Sequence, residues 1–147
     1  MANNSTLIGM TINQSYGGGV VSAWGVTADG VSGATISNNK ITINHASSNA
    51  FGVRAVTNSS SIIVSGNTIS VTNTNGHAYG LQVTGTSSAT VTGNTFSADG
   101  TLSDRAIYLA NATIQSGSTG NAILAGTCNN AGGNTGSIGL TDGTTCP

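Results

Sequence analysis

Charge is what this sequence has least of. Its 147 residues carry three basic and four acidic side chains, with no Glu, for a formal net charge of −1. Nucleic-acid binding needs a basic stripe that displaces counterions from phosphates, and Lys40, Arg54 and Arg105 cannot make one. The same scarcity excludes polybasic attachment to an anionic membrane. No apolar run approaches a transmembrane length, so membrane insertion is not expected. The opening Met1-Ala2-Asn3-Asn4 has neither the basic region nor the apolar core of a secretory signal. Chemical motifs are equally sparse. His45 and His77 sit apart, without cysteines or paired carboxylates beside them, and do not make a zinc site. No Gly-Gly-x-Gly-x-Asp calcium repeat, phosphate-cradling loop or Gly-x-Ser-x-Gly elbow occurs. Neither a metal nor a cofactor is expected.

What is there instead is small and polar. Gly (22), Thr (22), Ser (19) and Asn (17) make up 80 residues. Such a composition suits a disordered linker, but the apolar residues are regularly spaced and mostly β-branched, which suits strands. The segments 34–43, 62–71 and 88–98 are variants of one phrase. Ile36, Val64 and Val91 are spaced by 28 and 27 residues, as are Asn39, Asn67 and Asn94, and Ile41, Ile69 and Phe96. A second phrase repeats in phase: Trp24-Gly25-Val26, Phe51-Gly52-Val53, Tyr79-Gly80-Leu81, Ile107-Tyr108-Leu109 and, after a longer step, Ile138-Gly139-Leu140.

Within each repeat apolar and small polar residues alternate, the period of a strand with one buried face. Short strands recurring every 27 or 28 residues predict an all-β fold. It is a parallel β-helix, or solenoid, of about five coils with three short strands per coil. The expected internal columns are Ile12/Ile41/Ile69/Phe96/Ile123, Val26/Val53/Leu81/Leu109/Leu140 and Ile36/Val64/Val91/Ile114. One coil cannot bury its own apolar side, but a stack can. Asn39, Asn67, Asn94 and Asn121 fall in a tight turn, where Asn tolerates left-handed backbone and its amide can hydrogen-bond up a ladder. Trp24, Phe51 and Tyr79 are expected inside the coil, with Gly25, Gly52 and Gly80 outward.

The phrases Val64-Ser65-Gly66-Asn67-Thr68-Ile69 and Val91-Thr92-Gly93-Asn94-Thr95-Phe96 resemble the repeat of the pectin-lyase-like right-handed β-helix superfamily, over roughly residues 5–125. The resemblance implies right-handed winding and says little about activity, because the superfamily spans polysaccharide lyases and hydrolases, tailspikes and surface adhesins. Its catalytic members carry acidic clusters. This chain has only Asp29, Asp99, Asp104 and Asp142, none in a paired-carboxylate motif; Asp99 and Asp104 alone flank one loop.

A solenoid needs caps at its ends. No amphipathic helix precedes the first repeat, so the chain is expected to belong to a larger chain or an oligomer. Residues 1–125 are expected to form the coils. Residues 126–147 are expected to form an irregular C-terminal cap closed by a Cys128–Cys146 disulfide, which would point to an oxidising compartment. The loops between first and second strands vary most, at residues 13–23, 44–50, 72–78 and 99–106. Variable loops on a rigid scaffold are usual binding sites, and register places Asn49, His77 and Asp104 on successive coils, with Arg105 and Tyr16 nearby. The functional expectation is a non-catalytic, secreted or cell-surface module that presents polar loops and a Ser/Thr/Asn face to a glycan or cell-surface receptor. The alternatives are a fragment of a polysaccharide lyase or hydrolase, and a structural spacer or ice-binding solenoid carrying Thr ladders.

Overall fold

A computed structural model describes residues 1–17 and 21–146. Residues 18–20, in the first variable loop, and Pro147, at the end of the expected cap, lie outside the described residues. The fold is all-β, and no helix among the described residues is long and apolar enough to cross a membrane. Strands are numbered along the chain. The first sheet holds β1 (Thr6–Ile8), β4 (Thr35–Ser37), β7 (Ile62–Ser65), β10 (Ser88–Thr92) and β13 (Thr113–Ile114), stacked in that order. The second holds β2 (Thr11–Tyr16), β5 (Lys40–His45), β8 (Thr68–Asn73), β11 (Thr95–Gly100) and β14 (Ala122–Ala125). The third holds β3 (Ala23–Asp29), β6 (Ser48–Val56), β9 (Gly76–Thr84), β12 (Ser103–Ala110) and β15 (Thr127–Asn130). Every pairing within these sheets is parallel. Each strand is followed by one of the next sheet, so the chain winds as a parallel β-helix of five rungs and slightly more than four turns.

The repeat period sets the register. Ile12, Ile41, Ile69, Phe96 and Ile123 pair in one column of the second sheet. Leu7, Ile36, Val64 and Val91 do so in the first sheet. Residues of the middle rungs are fully buried: Ile36, Ile41, Val53, Val64, Leu81 and Val91 have no exposed surface. Each such side chain contributes roughly 1.5–3 kcal/mol.

The later rungs depart from the spacing. In the third sheet Val26, Val53 and Leu81 continue to Ile107 and then Cys128, instead of Leu109 and Leu140. Ile114 pairs with Ala89 instead of Val91. The offset between paired residues falls from 27 in the second sheet (Phe96 on Ile69) to 26 in the third (Ile107 on Leu81) and 25 at the next strand of the first (Ile114 on Ala89), a drift that a fixed period cannot reveal. The parallel winding also continues past residue 125 through β15. The end is then covered by an antiparallel pair, β16 (Ile138–Gly139) and β17 (Thr145–Cys146). Ile138 and Cys146 are fully buried beneath it, and Cys128 is bonded to Cys146. Asp142 shapes the connecting turn: hydrogen bonds from the side chain and then the backbone N–H of Thr144 lower its pKa.

The turn from the first sheet to the second holds the asparagine ladder. Asn67 Oδ1 accepts from both the backbone N–H and the side-chain amide of Asn39, at 2.9 and 3.0 Å. Asn94 does the same for Asn67, and Asn121 for Asn94. Each amide also donates to a carbonyl one rung back, as Asn67 Nδ2 does to Ile36 O at 2.8 Å. The left-handed backbone falls one residue earlier than expected, on Gly9, Asn38, Gly66, Gly93 and Gly120, with φ of 54 to 70°. The asparagines are therefore selected for their side-chain amides and not for φ. A second, shorter ladder runs through the turn from the third sheet to the first: Val31 N–H donates to Ser59 Oγ and Ser59 N–H to Ser87 Oγ.

Replacing Asn67 by Ala strands the Asn39 donors and the Ile36 carbonyl in a buried turn. It is expected to cost about 2–4 kcal/mol, whereas Ser97→Ala on the outer face of the second sheet changes stability by less than about 0.5 kcal/mol; urea unfolding of the two variants checks this. Replacing Cys128 and Cys146 together by Ser lowers stability by about 3 kcal/mol through the freed chain entropy, read as a fall in melting temperature that reductant reproduces in the wild type.

Candidate functional site

The third sheet differs from the other two on its outer surface. Four of the six aromatic residues and both arginines lie there. This placement reverses the expected orientation of the aromatic column. A Cβ on Gly52 would run into Ile69 Cγ2 and lie 2.7 Å from Gly80 O; on Gly25 it would lie 2.8 Å from Ile41 Cγ2, and on Gly80 3.2 Å from Phe96 Cδ1. The glycines therefore face the core, where their missing side chains make room for Ile41, Ile69 and Phe96. Ala50 and Val53 on either side also point inward. The aromatics between them are turned out, and the pairing skips each glycine. Sequence reading took the aromatics as internal because apolar bulk usually marks the core. The signal against it was the glycine at the same position in three successive rungs.

Outward-facing rings escape water by stacking on one another and on the arginines. Phe51 and Tyr79 lie with ring centroids 4.6 Å apart and planes 14° from parallel. The Arg54 guanidinium sits 4.7 Å from the Phe51 ring centre and 5.6 Å from that of Trp24. The Arg105 guanidinium sits 5.3 Å from Tyr79 and 4.8 Å from Tyr108. Phe51 and Tyr79 are left 6 and 7% exposed, while Trp24, at the open end of the column, is 48% exposed. Such cation–π contacts each contribute roughly 0.5–2 kcal/mol. Arg54 donates its Nε–H to Gln82 Oε1 at 2.9 Å, and Arg105 donates from Nη1 to the Tyr79 hydroxyl at 2.9 Å. Partial burial lowers the Arg54 pKa, and the negative charge of Asp29 opposes that shift.

The residues singled out from sequence partly converge on this face. Asn49 and His77 are register partners on adjacent rungs. The next member of their column is Ser103, whose Oγ lies 2.7 Å from His77 Nδ1. Asp104 stands one residue further on, opposite Ala78; it is exposed, and its carboxylate accepts a hydrogen bond from Gly100 N–H. Arg105 belongs to the aromatic column itself, opposite Tyr79. The His77 ring lies 6.2 Å from that of Tyr79, so the Asn49/His77/Ser103 column borders the aromatic one. Tyr16 lies elsewhere, in the second sheet, edge-on to His45 at 5.9 Å. Trp24, Phe51 and Tyr79, which sequence reading placed inside the coil, and Arg54, Gln82 and Tyr108, which it did not single out, complete the face.

The arrangement offers a half-exposed indole, two guanidinium groups, a phenol and an imidazole along one strip. It has hydrogen-bond donors and ring surface but no paired carboxylates. Of the four Asp, Asp29 and Asp104 lie in the third sheet, Asp99 in the second and Asp142 in the cap turn. Among the described residues no three His, Cys, Asp or Glu side chains form a group able to hold a metal ion. Compared with known proteins, the chain matches no family model, no curated protein and no solved structure.

Trp24 is the only tryptophan, so its fluorescence reports the orientation of the column directly. Emission typical of a water-exposed indole, quenched by iodide, is expected; a blue-shifted band resistant to iodide would place the column inside the coil.

Proposed function

We propose that this chain is a non-catalytic β-helix module of a secreted or surface-exposed protein, related to the pectin-lyase-like superfamily, and that it binds a glycan through the outer face of its third sheet. The observation that carries the reading is the strip itself. In a chain with three basic residues and six aromatics, two of the first and four of the second share one outer face. Sugar rings bind by stacking their C–H faces on aromatic surface and by hydrogen bonding of their hydroxyls to planar side chains, and guanidinium groups held on aromatic rings supply donors without losing much rotamer freedom on binding. The disulfide between Cys128 and Cys146 fits an oxidising compartment, as expected for a secreted or surface-exposed protein.

The reading favours a binder over an enzyme because a glycosidase needs two carboxyl groups about 5–9.5 Å apart across the scissile bond. Asp99 and Asp104 flank one turn, and Asp104 is engaged by the Gly100 N–H within that turn. A panel of immobilised glycans tests both readings, with retention and release of new reducing or unsaturated ends assayed together. Retention without release is expected, and the Trp24→Ala/Tyr108→Ala variant is expected to bind at least about tenfold more weakly, or 1.4 kcal/mol. Release of new ends, abolished by Asp99→Asn or Asp104→Asn, would establish an enzyme instead.

A further inference from the structure

Resting on the glycan-binding reading of the same face, we propose that the ligand is an acidic glycan lying along the solenoid axis, whose carboxylates recur on alternate sugars and are gripped by Arg54 and Arg105. The register fixes the spacing. Phe51, Tyr79 and Arg105 occupy one column on the second, third and fourth rungs, and Arg54, Gln82 and Tyr108 occupy the next column on the same three rungs. The two arginines are therefore two rungs apart along the axis, about 9.5 Å at a strand spacing of 4.7–4.9 Å, and one outer column apart across the sheet. One residue of an extended glycan chain has nearly the rise of one rung, so two rungs span a disaccharide. The intervening rung carries Tyr79 and Gln82, which are neutral and suit an uncharged sugar.

The guanidinium groups are prepared for carboxylates. Each lies over two rings, and among the described residues each spends one N–H on a neutral partner, Gln82 or the Tyr79 hydroxyl. The other N–H groups of each fork remain for a bidentate oxyanion. Both side chains are half-buried, so the pairing takes place where water screens it less than at an open surface. The acidic groups of the same sheet do not fill the forks. Asp29, at the end of the first-rung strand, acts on Arg54 through its charge, and the Asp104 carboxylate accepts from Gly100 N–H. Lys40, the remaining cation, is on the second sheet and takes no part.

The test compares oligosaccharides of an alternating uronate–hexosamine polymer: a disaccharide with one carboxylate, a tetrasaccharide with two, and the tetrasaccharide after reduction of its carboxyl groups to alcohols. Calorimetric titration of the full chain is expected to show the acidic tetrasaccharide bound at least tenfold more tightly than either of the others. The gain is expected to vanish in Arg54→Gln and in Arg105→Gln, and to persist in Lys40→Gln. Melting curves of the variants verify that they are folded, and conservative Arg54→Lys and Arg105→Lys variants are expected to recover part of the gain if either Gln variant is unstable. Equal affinity for the acidic and carboxyl-reduced tetrasaccharides would overturn the acidic ligand while leaving glycan binding intact. Equal affinity for disaccharide and tetrasaccharide would overturn the two-rung grip. Failure of the wild type to retain any member of the wider glycan panel would overturn the underlying reading as well.

Discussion

The structure depends on keeping the polar turns of a narrow solenoid satisfied without water. Asn39, Asn67, Asn94 and Asn121 are each at most 2% exposed, and every one lies where the chain turns from one sheet to the next. A turn exposes backbone N–H and C=O groups that the sheet ladders cannot pair, and leaving them buried and unpaired costs about 1–3 kcal/mol each. The side-chain amide supplies both a donor and an acceptor in the axial direction, so one residue type satisfies the turn of its own rung and of the next. The ladder tolerates changes of coil length: the asparagines are spaced by 28 and then 27 residues and remain bonded, so a residue gained or lost within a repeat is taken up by the connecting loops.

That axial bonding also explains why the outer face of the third sheet can be specialised. The core is filled by aliphatic columns and by Phe96, and the amide and hydroxyl ladders close two corners. The outward positions are then free to vary without altering the coil. In the first two sheets they carry mainly Thr, Ser and Asn, which suit strands in contact with water. In the third they carry a zigzag of rings and guanidinium groups. Its stacking arises from the same rung spacing as the core, since rings one rung apart fall into contact by default. The three inward glycines are the counterpart of this arrangement: they let the strand bend so that bulky residues sit outside while Ile41, Ile69 and Phe96 fill the space within.

The first and last rungs differ in what they present along the axis. At the C-terminal end an antiparallel pair and a disulfide cover the last rung. At the N-terminal end Met10 and Val31 occupy the positions that later rungs fill with Asn and Ser, and they accept no further rung through a side chain. Met10 N–H donates to Asn39 Oδ1 and Val31 N–H to Ser59 Oγ, so on the first rung the backbone joins each ladder without a side-chain amide or hydroxyl.

The sequence by itself determined the class of fold, the three strands per coil, the register of the central rungs, the asparagine ladder and the pairing of Cys128 with Cys146. These follow from period-2 alternation inside a 27–28-residue repeat and from two cysteines close together near one end, all of which are local or strictly periodic. Only the tertiary structure decided which side of the third strand faces the core. Trp24, Phe51 and Tyr79 are apolar and read as internal, but neighbouring columns had already filled the interior, and glycine occupied the only inward position left. The register of the fourth coil was likewise decided by packing, since Arg105 takes the place of the next aromatic and turns Ile107 inward. The candidate site was hidden for the same reason: its members come from different rungs and two adjacent columns, and only winding the chain at a fixed pitch brings Arg54 onto Phe51 and Arg105 onto Tyr79.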